Sequence, residues 1–246
     1  VKVWDAQTGT LGATLAGHTS DVWSAEFSAD GRSVVTASLD GTAKVWDAQT
    51  GTLRATLEGH TGHVPSAEFS ADGRSIVTAS GDGTAKVWDA QSGTLRATLE
   101  GHAAQVDSAS FSGDGRSIVT ASGDGTAKLW DAQSGTLRAT FQGHDGDIKG
   151  HHWDPTHRTM SLVGQSGRIE HFRYDEGYRV TGHYAIDHFD TPGRPGATLH
   201  STTDGLFTGD EAAFGRVLYR LGPNVLHDDL VTADQLFDFF HRPSLV

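Results

Sequence analysis

The chain has 246 residues and carries 31 acidic against 19 basic side chains, which gives a formal net charge of −12. An acidic chain is repelled by phosphate backbones, so we expect no nucleic-acid partner. We also expect no membrane contact, because no apolar run approaches the roughly 20 residues that span a bilayer. The absence of cysteine excludes a thiol nucleophile, a disulfide and a thiolate metal site, and it fits a reducing, cytoplasmic location.

Two dipeptides recur along the chain with a period of 42 residues. The pair Trp-Asp begins at Trp4, Trp46, Trp88 and Trp130. The pair Gly-His begins at Gly17, Gly59, Gly101 and Gly143. A fixed period of this length indicates that one supersecondary unit is stacked several times.

Four short alternating runs, divided by turn residues, fill each unit. In the second unit these runs are Val64–Phe69, Ser75–Ser80, Thr84–Trp88 and Thr94–Leu99. Four strands in a unit of about 40–45 residues are typical of a propeller blade. These residues resemble the WD40 repeat family, so we predict an all-β fold: a partial WD40 β-propeller with a short mixed α/β tail at its C-terminal end.

In chain order, a leading half-blade with two outer strands covers Lys2–Trp4 and Leu11–Leu15. Three regular blades are predicted at about 21–58, 63–100 and 105–142, and a degenerate fourth blade at about 147–184. The fourth unit stays in register, because apolar residues lie 42 positions after those of the third: Ile148 after Val106, Trp153 after Phe111 and Phe172 after Trp130. We assign residues 1–184 to the repeats and 185–246 to a tail that does not repeat.

Propellers of this family close into a ring by sharing strands between the two ends of the chain. Two interpretations follow for a chain that shows about four and a half repeats. The chain is a fragment of a larger ring, which we favour. Alternatively, segments around Ala185–Asp190 and Ala197–Phe207 supply the missing inner strands of the half-blade and close a small five-bladed ring. The period alone leaves both open.

A polar set recurs in each regular unit and invites a hydrolase interpretation. It consists of His18, Ser38, Asp40 and Trp46, then His60, Ser80, Asp82 and Trp88, then His102, Ser122, Asp124 and Trp130. A catalytic triad is a single constellation beside a cleft, whereas this set is copied in every unit. The resemblance implies a structural network instead, in which the Asp accepts from the His and the Ser, and the Ser or the His bridges to the Trp indole. The counterparts in the fourth unit are His144, Gly164, Ser166 and Phe172.

We therefore expect no catalytic residue, no cofactor and no enzyme activity. The alternative is a hydrolase or a metal-dependent enzyme that uses the histidine-rich region 144–200. Its candidate ligands are His151, His152, Asp154, His157, His183, Asp187 and His188. Adjacent residues on a strand point to opposite faces, so His151 and His152 do not make a pair of ligands, and we predict no metal site.

Positions that differ between such similar repeats are not fixed by the fold. In the first strand of each unit they are Asp21, Trp23, His63, Pro65, Gln105, Asp107, Asp147 and Lys149. A further variable position, just before the turn, holds Leu39, Gly81, Gly123 and Gln165. In the WD40 family these positions line a rim that contacts partners. The resemblance implies a scaffold for protein–protein interaction, or a docking or sensing module, and the net charge suits a protein or peptide partner with Lys or Arg.

The tail offers weaker patterns. Ala185–Pro195 is predicted to be a loop, Thr198–Asp210 to contain a strand and Glu211–Leu221 to have helical spacing. A C-terminal helix at about 233–241 would begin after Thr232 and pack the stripe Leu236, Phe237 and Phe240 against the propeller.

Two short patterns in the tail carry a second resemblance. Thr203-x-Gly205-x-Phe207 and Phe239-x-x-Arg242-Pro243-x-Leu245-Val246 resemble the join in bacterial proteins that fuse a WD40 array to a caspase-like peptidase domain. A chain without cysteine cannot carry that nucleophile. The resemblance therefore implies the sensing or docking arm of a larger multidomain protein.

Overall fold

Strands and turns make up the part of the chain that the computed structural model describes, namely residues 1–142, 148–154, 158–164, 169–191 and 194–200. No helix occurs in these ranges, and hence none that could cross a lipid bilayer. The all-β propeller prediction is confirmed for them. The helices predicted at Glu211–Leu221 and at about 233–241, with the stripe Leu236, Phe237 and Phe240, lie outside the described residues.

The strands form separate antiparallel sheets in chain order. A two-stranded half-blade contains β1 (Lys2–Trp4) and β2 (Leu11–Thr14). The first blade contains β3 (Val22–Phe27), β4 (Ser33–Ser38), β5 (Ala43–Asp47) and β6 (Leu53–Leu57). The second contains β7 (Ser66–Phe69), β8 (Ser75–Ala79), β9 (Ala85–Asp89) and β10 (Leu95–Leu99). The third contains β11 (Val106–Phe111), β12 (Ser117–Ser122), β13 (Thr126–Asp131) and β14 (Leu137–Gln142).

The fourth blade is a five-stranded sheet. Its strands are β15 (Ile148–Asp154), β16 (Thr159–Gly164), β17 (Ile169–Tyr174), β18 (Val180–Thr191) and β19 (Arg194–His200). The loop prediction for Ala185–Pro195 is wrong, because β18 runs on to Thr191 and pairs with β19. Pro195 is tolerated because β19 lies at the edge of the sheet, where a missing N–H costs no ladder bond.

This hairpin also corrects the five-bladed alternative. Ala185–Asp190 and the described part of the second segment, up to His200, extend the fourth blade outward rather than completing the half-blade. The rest of that second segment, residues 201–207, lies outside the described residues. Within the ranges described, β1 and β2 remain a two-stranded sheet with no inner strands.

The core lies between consecutive blades. We call the side of a blade that packs on the preceding blade its front face, and the side that packs on the following blade its rear face. The rear face of the first blade contributes Val35, Ala37, Ala43, Val45 and Leu57 to one buried cluster, and the front face of the second contributes Val64, Ala67, Phe69, Ile76 and Trp88. Equivalent clusters join the second blade to the third and the third to the fourth. The second and third blades are thus buried on both faces by their neighbours, which holds the loops at the strand ends in fixed relative positions.

Candidate interaction rim and buried polar network

A chain of hydrogen bonds crosses the interior of each regular blade. In the second blade the indole of Trp88 donates to Thr78 Oγ1 over 2.9 Å, Thr78 Oγ1 lies 2.8 Å from His60 Nε2, and His60 Nδ1 lies 2.8 Å from Asp82 Oδ2. A neutral imidazole protonated at Nδ1 gives every group in this chain a partner. The first and third blades repeat it with His18, Thr36, Asp40 and Trp46 and with His102, Thr120, Asp124 and Trp130.

The residue that accepts from the Trp indole is a threonine, which corrects the sequence-based assignment of this role to the serine or the histidine. The Ser80 hydroxyl accepts from the Asp82 N–H and donates to the carbonyl of His63. Asp82 accepts from the Thr84 hydroxyl, and not from the serine side chain. The signal for the threonine is present in the sequence, since it recurs at 36, 78 and 120 and is replaced by Leu162 in the fourth unit.

Asp82 holds two loops together. Its carboxylate accepts from the Thr61 N–H in the Gly-His loop and from the Thr84 N–H beyond the turn. Gly83 in this turn has a φ of +83°. This backbone conformation costs free energy for a residue that carries a Cβ, so glycine suits the position. The network therefore fixes the loop that leads into the first strand, where the variable positions lie.

The electrostatics favour a charged Asp and a neutral His. Burial disfavours ionisation of Asp82, but hydrogen bonds from Thr84, His60 and the Thr61 N–H outweigh it and hold the pKa of the carboxyl well below its ordinary value. Burial lowers the pKa of His60 and of His102, against the opposing effect of their Asp partners. All three copies share one geometry, so each acts as a structural unit of its own blade.

In the fourth blade the network gives way to apolar packing. Leu162 and Phe172 stand at the positions of the threonine and the tryptophan, are 0% and 3% exposed, and pack in one cluster with Phe141. Gly164 takes the place of the serine at the end of β16. His144 and Ser166 lie outside the described residues.

The variable positions meet at one end of the regular blades. The N–H of Leu39 donates to the carbonyl of Asp21 over 2.9 Å, and the N–H of Gly81 donates to the carbonyl of His63 over 2.8 Å. Gly123 and Gln105 are joined in the same way. The variable position before the turn thus lies beside the first variable position of its own blade.

Neighbouring blades touch across this rim. The rings of Trp23 and His63 meet edge to face with their centroids 5.5 Å apart. His63 lies over Gly81, where an added Cβ would come within 2.3 Å of the imidazole. Trp23 is 55% exposed, so it presents a large aromatic surface on a rigid support. We define the rim surface as Asp21, Trp23, Leu39, His63, Pro65, Gln105 and Asp107.

Two residues of the rim surface are bonded within the third blade, where Gln105 donates to Asp107 over 3.0 Å. The other predicted rim positions belong to the fourth unit. Lys149 lies on β15, and Asp147 and Gln165 lie outside the described residues.

The histidine-rich region does not converge on a metal site in the ranges described, where no three His, Asp or Glu side chains group as ligands. His151 and His152 are neighbours on β15, the first half-buried and the second exposed. His151 lies 3.2 Å from Ser108 Oγ and 2.5 Å from Ser110 Oγ of the third blade. Burial, followed by the nearby His152, lowers the pKa of His151 to about 4. His183, Asp187 and His188 lie on β18, and His157 falls outside the described ranges.

A set of hydrogen bonds that the sequence pattern does not reveal joins the inner strands of neighbouring regular blades. Glu26 Oε2 accepts from the N–H of Phe69, and Glu68 Oε1 accepts from the N–H of Phe111, each over 3.2 Å. Ser24 Oγ accepts in the same way from the N–H of Ala67. Burial, and then the charge of Glu26, raise the pKa of Glu68 to about 7.

Comparison with known proteins agrees with this architecture. The family model described as WD domain, G-beta repeat matches residues 9–47, 51–89 and 93–131. The crystal structure of the computationally designed Ika4 protein is similar with a TM-score of 0.61 and 30% identity, over 68% of this chain and 99% of that one. The crystal structure of the computationally designed Ika8 protein is similar with a TM-score of 0.63 and 31% identity, over 69% of this chain and 51% of that one. No curated protein matches at a significant level.

Proposed function

We propose that this chain, which belongs to the WD40-repeat family of β-propellers, is a docking module that binds a protein or peptide partner through the rim surface. Propellers of this family generally bind proteins and are generally non-catalytic. The observation that carries the proposal is the contact between the exposed Trp23 ring, at the start of β3, and His63, in the loop of the second blade that the buried network holds in place. Rigid exposed aromatic side chains are frequent anchors of interfaces.

The chemistry of the rim surface favours a basic partner. Asp21 lies two residues before Trp23, Asp107 belongs to the rim surface on the third blade, and the chain as a whole is acidic. A Lys or Arg of a partner would gain from these carboxylates and from the face of Trp23. We expect the binding to weaken as the salt concentration rises.

The test is capture of proteins from a lysate with three forms of the full chain. The rim variant carries Trp23→Ser, His63→Ser and Gln105→Ser. The control variant carries Gln49→Ala, Gln91→Ala and Gln133→Ala, three exposed positions that are themselves related by the repeat. We expect a partner that the parent and the control retain and that the rim variant binds at least about tenfold more weakly. Equal capture by all three forms would refute the rim as the binding surface.

A further inference from the structure

A groove opens between the first and second blades at the end opposite the rim surface. The rim surface lies where β3 and β7 begin, and the groove lies where these two strands end. Its volume is about 360 Å³, within the range of about 300–1,000 Å³ that is usual for ligand sites. The lining residues that matter here are Asp30, Ser33 and Arg54 of the first blade and Phe69, Asp72 and Ala90 of the second.

Arg54 presents a guanidinium of fixed orientation to this groove. Its Nη1 donates to Ser33 Oγ over 2.7 Å, and its Nη2 donates to Asp47 Oδ2 over 2.5 Å. The side chain of Arg54 is nevertheless 43% exposed. A planar guanidinium that two bonds hold in place offers its flat face to an aromatic ring.

The contact between the third and fourth blades shows what fits beside such an arginine. Arg138 lies two repeats after Arg54 and makes the same two bonds, to Ser117 and Asp131. Its Nη1 also donates to the hydroxyl of Tyr178 over 3.1 Å, and its guanidinium carbon lies 5.3 Å from the centre of the Tyr178 ring. The side chain of Arg138 is 25% exposed, because the tyrosine covers part of it.

Two more aromatic residues of the fourth unit occupy positions that line the groove. Tyr174 takes the position of Ala90, since each donates its N–H over 3.0 Å to the residue just before the second strand of its blade. Trp153 takes the position of Phe69 and donates to the hydroxyl of Tyr174. The rings of Tyr174 and Tyr178 stack with their centroids 5.7 Å apart. The second blade has a smaller ring and a methyl group at these two positions, so the space beside Arg54 stays open.

The groove also carries two acidic side chains, from the turns that follow β3 and β7. Asp30 accepts from the hydroxyl of Ser28, and Asp72 accepts from the hydroxyl of Ser70. These bonds, followed by bonds from the backbone N–H two residues on, hold the pKa of both carboxyls below its ordinary value, so both are charged at neutral pH. A Lys or Arg in the occupant would gain from these charges, whereas a phosphate would be repelled.

We propose that this groove is a second binding site, which takes an unmodified tyrosine side chain of a peptide partner next to a Lys or Arg. The tyrosine ring packs on the guanidinium of Arg54 and its hydroxyl accepts from Nη1, as Tyr178 does at Arg138. The neighbouring basic residue meets Asp30 and Asp72. The site lies at the opposite end of the blades from the rim surface, so the two proposals stand or fall separately.

The first experiment titrates a short probe, acetyl-Gly-Tyr-Arg-amide, into the full chain and follows backbone amide shifts by NMR. We expect saturable changes at Phe69, Ala71 and Gly73 in the groove and none at His63 on the rim. Probes with phenylalanine or phosphotyrosine in place of tyrosine should bind at least about tenfold more weakly, because the first lacks the hydroxyl and the second meets the carboxylates. A parent chain without saturable changes, changes confined to the rim, or tighter binding of the phosphotyrosine probe would overturn the proposal.

The second experiment fills or alters the groove. Ala90→Tyr copies the residue type of the fourth blade and should abolish the shift changes at Phe69 while leaving the amide spectrum of the third blade as in the parent. Ala6→Tyr, at the exposed equivalent position of the half-blade, is the matched control and should bind like the parent. Arg54→Lys keeps the charge but loses the flat face, and should weaken binding at least about tenfold. An Ala90→Tyr chain that binds the probe as tightly as the parent would refute this groove as the site.

Discussion

The regular blades and the fourth blade solve the same packing problem with different chemistry. A regular blade buries a tryptophan and gives its indole a threonine, a histidine and an aspartate as successive partners. The fourth blade buries Leu162 and Phe172, which need no partner at all. A half-satisfied buried network costs more free energy than an apolar core, which explains why the threonine, the aspartate and the tryptophan are all replaced in the fourth unit, although His144 remains.

The comparison extends to the contacts between blades. Between the second and third blades, Glu68 reaches across to the backbone of Phe111. Between the third and fourth blades, His151 stands where the regular units have Ala67 and Ala109, and it contacts two serine hydroxyls. One contact thus contains a half-buried acid and the other a half-buried base, and their titrations should affect stability in opposite directions.

The largest effect is expected from breaking one regular network in its middle. Thr120→Val removes the acceptor of the Trp130 indole and the partner of His102, which should lower the free energy of unfolding by about 3 kcal/mol in urea. Adding Trp130→Phe imitates the fourth blade and should restore part of the loss, with a coupling of at least about 1 kcal/mol. Thr136→Val, at an exposed hydroxyl, is the control. Additive losses from the two substitutions would show that the network is not cooperative.

The aspartate at the end of the network gives the next test. Asp82→Ala leaves His60, the Thr61 N–H and the Thr84 hydroxyl without their acceptor, and should cost about 1–3 kcal/mol of unfolding free energy. Asp82→Ser, the residue type of the fourth unit, should cost nearly as much while Trp88 remains. Asp21→Ala, at an exposed position, should stay within about 0.5 kcal/mol of the parent. A melting curve of Asp82→Ala that overlays the parent's would refute the structural role.

The contact between the third and fourth blades should be weakened by acid. The pKa of His151 is lowered to about 4, from about 6.5 for a free histidine. As the pH falls through this range, the unfolded chain binds a proton that the folded chain does not, so stability falls. From pH 7.5 to pH 5 the parent should lose about 2 kcal/mol more than His151→Ala in urea unfolding. His152→Ala removes only the lesser of the two causes of the lowered pKa and should keep most of the parent's slope, whereas an unchanged slope in His151→Ala would refute the assignment.

The fold follows from the sequence because the repeat fixes both period and register. The 42-residue period places Ile148 and Phe172 correctly although the fourth unit has lost its motifs. The threonine bridge was missed because threonine is a common strand residue, and nothing local shows that its hydroxyl faces an indole. The β18–β19 hairpin was missed because Pro195 suggests a loop unless the strand is known to lie at an edge.

The contacts between the blades were beyond sequence reasoning for another reason. Ser24 and Glu26 look like solvent-facing residues of an alternating strand, and their partners lie 43 residues away in the next blade. Near-identical repeats reveal which positions vary, such as Trp23 and His63. They do not reveal that these two rings touch, since that depends on the angle between blades.

The smallest expected effect comes from the acid between the second and third blades, and it runs opposite to that of His151. Burial and the charge of Glu26 raise the pKa of Glu68 to about 7, so its contribution to stability is complete at pH values below about 4.5 and is lost as the pH rises towards 7. Glu68→Gln keeps an oxygen that can accept from the Phe111 N–H and removes the titration. Between pH 5 and pH 8 the parent should lose about 1 kcal/mol relative to this variant, a value reduced for the partial solvent contact of the carboxyl. Glu100→Gln, at an exposed site, should follow the parent, and a parent that gains stability relative to Glu68→Gln over this range would contradict the buried-acid explanation.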